Sequence, residues 1–213
     1  FQGLFGWYMV KSGLINKPDV SHYRLSIHLL LAFIIYGYLL SLIFSNYIQE
    51  NNKEIITDKN KSFYILNLIL IFLILTTVFS GGMVAGLDAG LVYNTFPLMG
   101  DTFVPLDILE FRPKFINFFE NPVTVQFDHR ILGVITFFLI LLIWFYARII
   151  NLNRSIIRKT NILLCFVFIQ IGLGIATLLS YVTIHVAIAH QLGSLVLFTI
   201  SIWTLKSLPL VSK

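Results

Sequence analysis

Three of the five histidines, His28, His129 and His190, lie inside long apolar runs. The stretch Val125-Gln126-Phe127-Asp128-His129-Arg130-Ile131-Leu132-Gly133 sets Asp, His and Arg side by side where one such run opens, in a sequence with only 12% charged residues. Arg24 stands one helical turn before His28. Imidazole has few uses in apolar surroundings: it hydrogen-bonds a neighbour, moves a proton or binds a metal. The elements that carry the three rings, and the other donors near them, decide between these.

Those elements are membrane helices. The chain is 57% hydrophobic, with a mean hydropathy of +0.86, far beyond the range of ordinary soluble domains. A spanning helix needs about 20 mostly apolar residues. Five segments qualify: Tyr23–Phe44, Phe63–Val84, Val125–Ile149, Asn161–Tyr181 and Ile184–Leu205. Phe1–Val10 is apolar but too short, and reads as the tail of a sixth helix whose start is missing. The fold class expected is an all-α polytopic membrane bundle. Residues 1–45 form a remnant of an N-terminal helical half, 46–62 an inner loop, and 63–213 a C-terminal four-helix half with an outer loop over 85–124.

The net charge of +5 does not point to nucleic acid, because the basic residues sit at helix ends. The loop after the third full span carries Arg148, Arg154, Arg158 and Lys159 and no acid, which places it inside by the positive-inside rule. Alternation puts 46–61, with Lys53, Lys59 and Lys61, and the tail, with Lys206 and Lys213, on the same side. The other face holds Lys11, Lys17, Arg24, Arg112, Lys114 and Arg130, and most of the acids, among them Asp88, Asp101, Asp107 and Glu110. The outer segment contains Pro97, Pro105, Pro113 and Pro122 and several aromatics, a composition that favours an ordered cap over disorder. The one cysteine, Cys165, excludes an intrachain disulfide and any Cys-based iron–sulfur site, and reads as a packing residue. Gly81, Gly82, Gly86, Gly172 and Gly174 read as places where helices touch.

A faint repeat runs through the chain. Gln2-Gly3-Leu4-Phe5-Gly6 resembles Gln170-Ile171-Gly172-Leu173-Gly174. Each is followed by a polar turn and a histidine pair, His22 with His28 and His185 with His190. The first helix pair therefore reads as a copy of the last, as in duplicated membrane folds. The middle pair has no counterpart, which would have preceded Phe1.

His28, His129 and His190 enter their helices from the same side, each about 4–6 residues or roughly 6–9 Å deep. Any one alone could serve only to hydrogen-bond a neighbouring helix. Three at matched depth favour function, since polar groups in lipid are costly. Two histidines on facing helices can hold a haem iron axially with the porphyrin between the helices. Zinc fits less well for want of further ligands, and a proton relay would want acids at that depth. Arg24 and Arg130 would pair with haem propionates or snorkel to headgroups. Asp128 would orient His129, pair with Arg130 or cap its helix. His22 and His185 read as interfacial.

The segment Ser80-Gly81-Gly82-Met83-Val84-Ala85-Gly86-Leu87-Asp88-Ala89-Gly90, running into Tyr93-Asn94-Thr95-Phe96-Pro97-Leu98-Met99, closely resembles the signature of the haem A synthase family, also called the cytochrome oxidase assembly protein 15 / CtaA family. Gln126-Phe127-Asp128-His129-Arg130, Gln170 to Thr177, His190-Gln191, and Gln2-Gly3 to Gly6-Trp7 with Met9 to Leu14 resemble further elements of it. The resemblance covers nearly the whole chain. It implies eight helices in two four-helix halves and oxidation of the C8 methyl of haem O to a formyl group by successive hydroxylations. It further implies a haem b held by His129 and His190, with His28 as the surviving histidine of the substrate site. The family's first two helices, with the rest of that site, are missing, so no catalytic residue is assigned in this chain. The partners implied are haem O, an unidentified electron donor, haem O synthase, oxidase assembly factors and the lipid bilayer, with a homo-oligomer compatible. Short loops favour the bacterial inner membrane over the topologically equivalent mitochondrial one. The competing readings are a membrane cytochrome b that only passes electrons, and an inactive haem-binding fragment.

Overall fold

Apolar runs of this length leave the backbone one way to satisfy its polar groups in lipid, which is to form helix. The computed structural model describes residues 1–13, 20–48 and 58–208. It contains α1 (Gln2–Gly13), α2 (His22–Ile48), α3 (Asp58–Gly86), α4 (Asn117–Glu120), α5 (Pro122–Ile149), α6 (Arg154–Leu179) and α7 (Ile184–Lys206). Two 3₁₀ turns, Ala89–Leu91 and Lys114–Ile116, lie between α3 and α5. Among the described residues there is no strand, only an isolated bridge between Met99 and Thr102. Five helices, α2, α3, α5, α6 and α7, are long and apolar enough to cross a membrane. The all-α polytopic bundle expected from the sequence is the observed fold.

The helices overrun the apolar runs that predict them, and the capping chemistry says why. Helix α5 starts at Pro122 because Asn121 accepts from Val123 N at 2.9 Å and Thr124 N at 3.3 Å, with proline at the first helical position. Asn121, not Asp128, is therefore the cap of the His129 helix. Helix α6 starts at Arg154, under Asn153, whose side chain accepts from Ile156 N at 3.0 Å. Helix α2 continues to Ile48 and α3 begins at Asp58, both inside the segment 46–62 read as a loop. Lys17, Lys53 and Lys213 lie outside the described residues.

Helix α3 packs against α2, α5 and α7, while α6 packs on α5 and α7, and α1 lies on α2. The core between them is apolar: Phe63, Leu70, Ile140, Ile143, Leu163 and Phe198 are buried. The outward faces are apolar as well, with Phe72, Phe138, Phe145 and Phe168 more than half exposed. Helices apolar all round suit a lipid solvent. Helix α2 crosses α3 at close range. A Cβ at Gly86 would lie 2.6 Å from His22 Cα, and one at Gly82 2.8 Å from Ser26 Cα. Small residues one turn apart let these backbones meet.

The segment after α3 is an ordered cap. Buried Asn117 accepts from Phe111 N at 2.8 Å and donates to the carbonyls of Phe111 and Lys114. Asn121 donates to the Asp107 carbonyl at 3.2 Å. Tyr93 donates to Asp107 Oδ1 at 2.9 Å, and that hydrogen bond to a carboxylate pushes the Tyr93 hydroxyl above its ordinary pKa.

The crossing gives a paired prediction. Gly86→Ala forces backbone apart and should lower stability by about 1–3 kcal/mol. Gly133→Ala, where nothing lies within 4 Å, should be neutral or raise stability by up to about 1 kcal/mol through helix propensity. Thermal unfolding in detergent, followed by helical circular dichroism, reads both.

Candidate functional site

The cap end of the bundle gathers the N-termini of α2, α5 and α7 and the C-termini of α3 and α6. Tyr23 at the start of α2 donates to Glu120 at 2.6 Å, and Asn94 in the cap donates to the Leu178 carbonyl near the end of α6 at 2.8 Å. His129 lies seven residues into α5, and His190 and His28 six residues into α7 and α2. All three are therefore about two turns from that end.

Two of the three meet. The His129 and His190 ring centroids are 6.5 Å apart with their planes at 85°. Both rings are half-buried, and in both the Nδ1 atom is buried with no hydrogen-bond partner. Each ring faces a glycine on the preceding helix. A Cβ on Gly81 would lie 3.2 Å from His129 Cε1, and one on Gly174 3.0 Å from His190 Cε1. Any larger residue would push the ring out of place.

His28 does not join them. Its ring stacks on Phe5 of α1 at 6.1 Å and 7°, and Gly6 leaves room for it, a Cβ there lying 3.1 Å from Cε1. Gln2 Nε2 donates to the His28 carbonyl at 2.9 Å, as Gln170 Nε2 does to His190 at 3.0 Å. The faint Gln-to-Gly repeat thus has a physical meaning. α1 holds His28 as α6 holds His190, and His28 Nδ1 is likewise buried without a partner. Equal depth did not reveal which rings converge, because that depends on which neighbouring helix each one faces.

Arg130 does not reach into the bundle. Its guanidinium donates to the backbone carbonyls of Tyr93 at 2.9 Å, Thr95 at 3.0 Å and Leu98 at 3.3 Å. Gln126, buried on the same helix, adds a second donor to Tyr93 O at 3.0 Å. Arg130, expected to pair with haem propionates or to snorkel, clamps the cap one residue from His129. Arg24 lies over the Tyr8 ring, its Cζ 4.8 Å from the centroid. His185 is exposed, as its interfacial reading requires. His22 stands 3.8 Å from Glu120 Oε2, and Tyr23 shares that carboxylate. Sequence reasoning missed Glu120 altogether, since 97 residues separate it from Tyr23 and no spacing rule links them.

Two imidazoles 6.5 Å apart, each with a buried nitrogen lacking a partner, could together hold a metal. Among the described residues no three His, Cys, Asp or Glu groups converge. A bare ion there would find two protein ligands, whereas haem brings its own four equatorial nitrogens.

The clamp makes a prediction. Arg130→Lys keeps the charge but cannot fork to three carbonyls. Amide hydrogen exchange across 93–98 should rise by about tenfold, the equivalent of roughly 1–2 kcal/mol for charge-assisted bonds, with little change in α6.

Comparison with known proteins agrees with the architecture. The family model described as "Cytochrome oxidase assembly protein" (COX15-CtaA) matches residues 1–202. The Bos taurus protein named "Heme A synthase COX15" is 43% identical over 100% of this chain and 53% of its own length. The "Heme A synthase" of Wolbachia pipientis wMel is 43% identical over 96% of the chain and 56% of its own. That of Nitrosospira multiformis is 41% identical over 95% and 56%. The chain spans about half the length of the curated relatives it matches. No solved structure matches it. With 1–202 matched by the family model, the chain belongs to the COX15-CtaA family of cytochrome oxidase assembly proteins.

Proposed function

We propose that this chain supplies the haem b site of a haem A synthase, in which His129 and His190 are the axial ligands of the iron. The observation that carries the reading is the pair of rings 6.5 Å apart, each with a buried, unpartnered Nδ1. Such a nitrogen in an apolar bundle carries a desolvation cost that a ligand would relieve. A haem bound there supplies one-electron transfer. The protein's share is to hold two imidazoles at fixed separation, to exclude water with the surrounding apolar side chains, and to close the end of the site with the cap that Arg130 and Gln126 pin down.

The activity proposed for the whole protein is oxidation of the C8 methyl of haem O to a formyl group. His129 and His190 would hold the haem, and the chemistry it would supply there is electron transfer. His28, held by α1 in the same manner as His190 by α6, is proposed as a histidine of the substrate site. Electrons would come from a separate donor, and the membrane would be a bacterial or mitochondrial inner membrane. A membrane cytochrome b that only passes electrons is favoured equally by the histidine pair. It leaves the Asp88–Met99 segment, clamped to α5 and α6, without a reason.

The test is haem content by pyridine haemochrome assay. The protein should carry b-type haem, and His190→Ala and His129→Ala should each lose most of it. Unchanged occupancy in His190→Ala would overturn the ligand assignment. Haem A formed in cells that express the protein separates a synthase from a simple cytochrome b.

A further inference from the structure

Gln170 has a buried amide that the ligand assignment does not use. Its Nε2 donates to the His190 backbone carbonyl at 3.0 Å, although that carbonyl already lies within the hydrogen-bonded ladder of α7. Its Oε1 is buried with no partner, a costly state for an amide unless the other half of the group does something useful. Gly174, one turn on, gives the His190 ring its slot. One turn of α6 therefore grips His190 at both the main chain and the ring. Gly193, three residues past His190 on the same face of α7, makes the grip possible: a Cβ there would lie 2.2 Å from Gln170 Oε1.

The device recurs where chance would not repeat it. Gln2 donates to the His28 carbonyl at 2.9 Å, its Oε1 is also buried and unpartnered, and Gly6 gives the His28 ring its slot. At His129 the same positions are Thr77 and Gly81, with the ring slot but no side-chain amide. The amide thus marks His28 and His190, and His129 lacks it.

We propose that Gln170 is a positioning residue for His190: its side-chain amide, seated against Gly193, locks the backbone of α7 so that the His190 imidazole stays on the metal. The proposal rests on the haem reading above. Partners of this kind, one shell removed from a metal, orient the ligand and are worth about 10–100-fold in metal affinity. Gln2 does the same for His28.

The experiment uses the haem-loaded protein, reduced, and follows the rate at which carbon monoxide displaces an axial histidine. Gln170→Met keeps the volume but removes the amide, and should speed displacement by about tenfold or more. Gly193→Ala should do the same by evicting the amide. In a Gln170→Ala background, where no atom is left to clash, Gly193→Ala should add nothing. Wild-type kinetics in Gln170→Met, or additive effects of the Gly193 and Gln170 changes, would overturn the proposal while the ligand assignment stands. His190→Ala run alongside separates the two claims. If it keeps its haem and its slow displacement, the ligand assignment has failed and the positioning role fails with it.

Discussion

The constraint on which this molecule depends is that a lipid-embedded bundle has no water to satisfy a buried imidazole. Every polar atom placed two turns below the cap must find a partner in protein or ligand. The helices meet that demand in a common way. A histidine on one helix faces a glycine on another, Gly6, Gly81 and Gly174 in turn, and at His28 and His190 the residue one turn before that glycine, Gln2 or Gln170, sets a side-chain amide on the histidine's backbone carbonyl. The Nδ1 of each ring is buried without a partner, and the His129 and His190 rings lie 6.5 Å apart, edge to face.

The cap serves the same end from outside. Arg130 and Gln126 leave the bundle interior and hold the carbonyls of 93–98, so the segment with the most distinctive sequence is tied to the helix that carries His129. Asn94 ties it to α6, which carries Gln170 and Gly174. The Asn117–Asn121 network and the Glu120 carboxylate join the far side of the cap to α5 and α2. Polar side chains gather at this end but not only here, since buried Lys159 donates to Ser207 and Arg148 to Asn161 at the opposite end.

Much of this was legible in the chain itself. Apolar runs located all five long helices, because hydropathy in lipid tracks backbone need closely. Their ends were not legible from hydropathy, since Asn121 and Asn153 set them by capping. His129 and His190 stood out as polar groups in apolar runs, and the short Gln-to-Gly repeat pointed to the two positions where α1 and α6 hold their histidines. Depth along a helix could not tell which faces meet: it set His28 level with His129 and His190 without showing that His28 packs on α1. The carbonyl clamp of Arg130 was not legible for a related reason: its acceptors are neutral backbone carbonyls delivered by a loop distant in sequence. The pairing of His22 and Tyr23 with Glu120 depends on tertiary structure alone.

The central claim is that two imidazoles share one iron. Low-temperature electron paramagnetic resonance of the oxidised protein tests it most directly, since coordination number and axial field set the spin state. The account predicts a low-spin ferric signal with no high-spin component. A dominant high-spin signal would mean that one of His129 and His190 is not a ligand, and would contradict it.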